Sequence, residues 1–168
     1  GQPTRSGAEA WSDQMDTVPI MQLNYANGVT DGLGYMEVWV RSHKSISGDA
    51  KAREVFTVSG PNRAVGSVSV RLMRVSGSGP LTVRLETSDG TLIEQGEVAA
   101  SAISLGTPGI DGTRNPTWAT YTFATPRSLA SGHGYSVVLS SPGDTVYSIF
   151  VIREGSSYSF NPTTYFGD

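Results

Sequence analysis

The chain has no cysteine in its 168 residues, which excludes a disulfide framework, a thiolate metal site and a cysteine nucleophile together. That absence does not argue against export. Charge is scarce too: 16% of residues are charged, against about 25% in an ordinary soluble domain. The net charge is −3, and no run of Lys or Arg occurs anywhere. A nucleic-acid partner needs a basic stripe to neutralise phosphates, so none is expected. No apolar stretch approaches the roughly 18 residues that span a bilayer, and there is no polybasic anchor, so no membrane partner is expected and the chain reads as soluble. Imidazole is limited to His43 and His133. No segment sustains apolar residues at i, i+3, i+4 and i+7 over a helical length.

What the chain does have is period-2 alternation broken by turns. Hydrophobic residues make up 38%, with 20 Gly and 9 Pro spread throughout, enough for one core and one domain over 1–168. The opening Gly1-Gln2-Pro3, without initiator Met or signal peptide, leads us to expect a domain excised from a larger protein. Segment 20–25 puts Met21, Leu23 and Tyr25 on one strand face, and Asn27-Gly28 follows in a turn-rich stretch. Segment 34–40 alternates sharply: Met36, Val38 and Val40 on one side, Tyr35, Glu37, Trp39 and Arg41 on the other. A polar loop over 42–52 is expected next, then strands at 53–58, 65–74 and 81–87. Their core faces are read as Val68, Val70 and Leu72, then Leu81, Val83 and Leu85. Ser88-Asp89-Gly90 is a tight-turn signal returning 91–98 as a hairpin. A long loop over 99–116 precedes strands at 118–123, 135–140, 145–153 and about Tyr158 to Phe160. Nine or ten short strands with Gly/Pro turns predict an all-β fold, an antiparallel β-sandwich of jelly-roll-like kind.

Two stretches carry a resemblance. One is Ala52-Arg53-Glu54-Val55-Phe56-Thr57-Val58 with Val68-Ser69-Val70-Arg71-Leu72 and the hairpin through Asp89-Gly90. The other is Trp118-Ala119-Thr120-Tyr121-Thr122-Phe123 with Leu129, Gly132 and Tyr135-Ser136-Val137-Val138-Leu139-Ser140. Together they resemble the galactose-binding-like, jelly-roll carbohydrate-binding modules appended to bacterial secreted glycoside hydrolases. The resemblance implies a secreted, non-catalytic accessory domain with a polysaccharide or oligosaccharide partner, an adjoining catalytic domain, an aromatic sugar platform and a structural calcium ion. Oxygens available to calcium, which accepts scattered carboxylates and carbonyls, are Asp13, Asp16, Asp31, Glu54, Asp111 and Asp144; no D-x-D-x-D-G loop gathers them.

Catalytic constellations are poorly represented. There is no Gly-x-Ser-x-Gly elbow before a helix, and no H-x-H or H-E-x-x-H spacing for zinc. His133 lies between two glycines and reads as an exposed turn residue; His43 sits beside Lys44 at a strand end. Glu94 and Glu97 have odd spacing and cannot share a strand face as a glycosidase pair. Glu37 and Glu54 are expected to be single, solvated charges.

A sugar offers flat C–H faces that stack on aromatic rings, and hydroxyls that seek amides, carboxylates and guanidinium groups. Tyr35, Glu37, Trp39 and Arg41 have that composition at period 2 opposite an apolar face, so they are the expected carbohydrate-binding platform, with Trp11 as a further candidate. The competing expectation makes the same rings a packing surface for a partner domain or protomer. Trp118 is expected to be structural, closing a sandwich edge beside the core face Ala119, Tyr121 and Phe123. The tail with Tyr158, Tyr165 and Phe166 is expected to pack on an adjoining domain. A small polysaccharide-acting enzyme is the most distant reading.

Overall fold

The computed structural model describes residues 17–19, 21–32, 42–106 and 117–153. Eleven strands run through them: β1 Thr17–Pro19, β2 Met21–Tyr25, β3 Thr30–Gly32, β4 Ser42–Ile46, β5 Ala52–Thr57, β6 Arg63–Ser76, β7 Leu81–Thr87, β8 Leu92–Val98, β9 Thr117–Leu129, β10 Gly134–Ser140 and β11 Val146–Arg153. Among the described residues the one helical element is a 3₁₀ turn at Ala100–Ala102. The platform expected at Tyr35, Glu37, Trp39 and Arg41, together with Trp11 and the 158–160 strand, lies outside the described residues.

Two antiparallel sheets form. The smaller has the order β5-β10-β7-β8; the larger joins β1, β2, β3, β4, β6, β9 and β11. Strand β6 is the hub of the larger sheet. At Val70 it pairs with Ala119 of β9 and Met21 of β2; at Leu72 it pairs with Thr117 of β9 and Ile149 of β11. Strands β2 and β11 therefore share the edge of β6 opposite β9.

The alternation foreseen in the sequence holds on the inner faces. Met21, Leu23, Val68, Val70, Leu72, Ala119 and Phe123 from the larger sheet meet Phe56, Leu81, Val83, Leu85, Val137 and Leu139 from the smaller in one buried cluster. Apart from Ala119, each such side chain, taken from water, contributes about 1.5–3 kcal/mol, which is what sets register.

Three expectations need correction. The polar loop expected over 42–52 starts as strand: β4 pairs with β11 from Ser42↔Val151 to Ile46↔Tyr147. Among its described side chains only Ile46 is core, so backbone pairing with a buried neighbour makes the strand where side-chain pattern gives no signal. Strand β9 continues past Phe123 to Leu129, crossing a register shift opposite Val65 and Ser67 of β6; Pro126 is tolerated at that irregularity because no ladder hydrogen bond is asked of it. Glu54, expected to be solvated, is buried on the inner face, directly across from Val137.

The two long sides of the sandwich close differently. On one, β9 leans over β8. Tyr121 of β9 lies against Gly96, where a Cβ would penetrate the phenol ring. Its hydroxyl donates to Glu94 Oε1 at 3.0 Å and to Gln95 O at 3.1 Å, and Arg127 Nε donates to Glu94 Oε2 at 2.7 Å. Burial tends to raise the Glu94 pKa, yet the bonds from Arg127 and Tyr121 outweigh it and hold it below the usual carboxylate value. On the other side, β5 is an edge strand, paired among the described residues with β10 alone.

Candidate functional site

Each sheet has an outer face, and the two differ in character. On the smaller sheet the outward residues include Arg84, Glu86, Ser136 and Val138. Arg84 Nη2 lies 3.0 Å from Glu86 Oε1, but Glu86, Ser136 and Val138 are all buried, and Ser136 Oγ has no hydrogen-bond partner among the described residues. This face is closed, so it offers no open platform.

The outer face of the larger sheet is open over β9, β6, β2 and β3. Register places Gly32, Gln22, Ser69 and Thr120 in one row and Thr30, Asn24, Ser67 and Thr122 in the next; Arg71 beside Trp118 begins a third. With strands about 4.8 Å apart, a four-strand row is about 14 Å long, and rows are about 6.8 Å apart. Thr30, Thr120 and Thr122 are exposed, while Gln22, Asn24, Arg71 and Trp118 are half-buried.

These groups form a directed network. Gln22 Nε2 donates to Asn24 Oδ1 at 2.7 Å. Asn24 Nδ2 donates to Ser67 Oγ at 2.7 Å and to Ser69 Oγ at 3.0 Å. Ser69 Oγ and Thr120 Oγ1 are 2.8 Å apart. Both amide protons of Asn24 are thus spent inward, satisfying the buried serines. The exposed threonine hydroxyls are left at the surface, able to donate and accept. At the end of this polar field the Arg71 guanidinium lies over the Trp118 indole, 5.6 Å from its centroid, a cation–π distance that fixes both side chains.

Trp118, expected to be structural at a sandwich edge, lies half-buried on the outer face with Thr120 and Thr122, because Ala119, Tyr121 and Phe123 take the inner positions of β9. The signal was present in the sequence: the same alternation that makes 119, 121 and 123 core puts 118 outside. Arg71, two residues beyond Ser69 on β6, carries no such signal by itself; only register with β9 brings it to the indole.

Metal and catalytic groups are sparse. Among the described residues no three His, Asp or Glu side chains converge on one point. Glu54 is inside the sandwich and Asp144 is in an exposed turn, accepting from Thr145 Oγ1 at 3.2 Å; neither belongs to such a group among the described residues. Asp13, Asp16 and Asp111, and the side chain of Asp31, lie outside the described residues. His133 is an exposed turn residue, as expected, its Nδ1 3.0 Å from Ser131 O. The side chain of His43, in β4, is outside the described residues.

No family model matches the chain, and no curated protein matches it. Among solved structures, the chain is similar to the C-terminal CBM6 of LamC, a marine laminarinase from Zobellia galactanivorans, at 18% identity and a TM-score of 0.31, over 83% of this chain and 90% of that one.

Proposed function

We propose that this chain is a non-catalytic carbohydrate-binding module whose ligand lies on the outer face of the larger sheet. The observation that supports this is the outward Trp118, held by Arg71, at the margin of the network running from Gln22 through Asn24 to Ser67, Ser69 and Thr120. An indole supplies a flat apolar surface for a pyranose ring. Hydroxyls and amides already polarised in one direction supply fixed partners for sugar hydroxyls. Tyr35, Glu37, Trp39, Arg41 and Trp11 belong to the proposal as further glycan-binding residues. A structural calcium belongs to it only through Asp13, Asp16, Asp31 and Asp111. The proposed setting is extracellular, as a domain attached to a carbohydrate-active enzyme.

Electrophoresis of the purified protein in gels cast with soluble polysaccharides tests the proposal. Retardation by at least one glucan, xylan, galactan or uronate polymer is the expected result. Unchanged mobility in every gel rejects it.

A further inference from the structure

Glu54 is out of place in this sandwich. It lies at the middle of β5, on the parity of Ala52 and Phe56, and faces inward directly across from Val137 of β10. It is buried, and no hydrogen bond or ion pair reaches it among the described residues. A carboxylate in such surroundings costs several kcal/mol and is avoided by keeping the proton. Burial alone raises its pKa from 4.5 to about 8.

Among the described residues the groups around it offer no compensation. On β10 the inward residues are Tyr135, Val137 and Leu139, and the Tyr135 hydroxyl accepts from Ala130 N–H at 2.8 Å. Strand β1, which approaches β5, consists of Thr17, Val18 and Pro19, none of them ionisable. Across the core, the inward residues of β4 and β11 include Ile46, Tyr147 and Ile149. The Tyr147 hydroxyl is spent on Gly79 O at 2.6 Å, and Lys44 is exposed. On β5 itself Arg53 and Val55 have the opposite parity and point away, and Lys51 precedes the strand.

Topology makes this one strand separable. Among the described residues strand β5 has a ladder on one side only, to β10, whereas β10 keeps β7 on its other side. The ladders of β10 with β7 and of β7 with β8 do not involve β5.

We propose that Glu54 is a protonation latch: as the neutral acid it lets β5 seat against β10, and on losing its proton it unseats β5 while the rest of the sandwich stays folded. The carboxylate reaches water when the strand swings out, and the uncovered β10 edge presents unpaired backbone groups able to accept another strand. The inference does not depend on glycan binding.

Hydrogen exchange of the full chain, read by mass spectrometry, tests it at about pH 6.5 and pH 9.5, with an unstructured peptide correcting for base-catalysed exchange. At the higher pH the ionised form outweighs the acid about thirtyfold. The peptide covering 52–58 is expected to lose at least tenfold in corrected protection, while β6 and β7 peptides keep theirs. Glu54→Gln is expected to show no such loss. Equal behaviour of wild type and Glu54→Gln overturns the latch, as does an equal loss in every strand. If Glu54→Gln fails to fold, the ¹³C carboxyl resonance of Glu54 in the wild type decides: a midpoint near 8 is expected, and one near 4.5 overturns the proposal.

Discussion

Gly96 and Tyr121 share one space: the phenol ring of β9 fills the volume that any side chain on residue 96 of β8 would need. The contact joins edge strands of different sheets, and the Tyr121 hydroxyl completes it through Glu94 and Gln95. A sandwich left open on this side would expose two strand edges to other chains.

Replacing Gly96 with alanine therefore expels the ring. A loss of about 2 kcal/mol in urea unfolding is expected for Gly96→Ala, in the range of other overpacked cores. Tyr121→Phe keeps the ring and loses only the hydroxyl bonds, at about 1 kcal/mol. A Gly96→Ala protein as stable as the wild type would show that the ring does not close the edge.

The ion pair beside this contact contributes little. Arg127 is partly exposed, with 44% of its side chain accessible, so water screens it. Arg127→Met is expected to cost about 0.5 kcal/mol or less, and the cost should shrink in high salt. A cost several times larger, unchanged by salt, would show the pair to be insulated.

Asn24 carries more, since it alone serves both Ser67 and Ser69. Asn24→Ala leaves these buried hydroxyls short of donors and is expected to destabilise by about 1–2 kcal/mol. It should also weaken glycan retention, because Gln22 and Thr120 lose their common anchor. Full stability and full retention in this variant would remove the network from both roles.

Stability should depend on pH through Glu54. The unfolded chain releases this proton near 4.5, the folded chain near 8. Between those values the folded state holds more protons, so stability falls as pH rises through the window and levels off above about 8. The drop is of the order of a few kcal/mol. Urea midpoints measured across the window should fall in the wild type and stay nearly level in Glu54→Gln. Parallel curves would mean that other groups carry the pH dependence.

Much of the fold was legible in the sequence because burial on one face writes itself as alternation. Strand β7 and its hairpin partner β8 follow from Leu81, Val83, Leu85 and the Ser88-Asp89-Gly90 turn. There Asp89 Oδ1 accepts from Thr91 N–H at 3.0 Å and from the Thr87 hydroxyl, bonds that lower the Asp89 pKa. Strand β4 was not legible: Ser42, His43, Lys44 and Ser45 carry no apolar period, and their pairing with β11 is decided by residues a hundred positions away. Glu54 was misread for a related reason. A glutamate in an alternating segment looks solvated until register puts it opposite Val137. The outer-face site was hardly legible: alternation puts Trp118 on the outer face, yet it was expected to be structural, and Arg71, Asn24 and the two serines join it only through the pairing of β2, β6 and β9.

The most direct check of the proposed binding face is calorimetric titration with a polysaccharide that retards the protein, comparing wild type with Trp118→Ala and confirming by circular dichroism that both are folded. The account predicts saturable heat for the wild type and at least a tenfold weaker association for Trp118→Ala. Equal affinity in the two folded proteins would contradict it, because the indole on the outer face would then not touch the sugar.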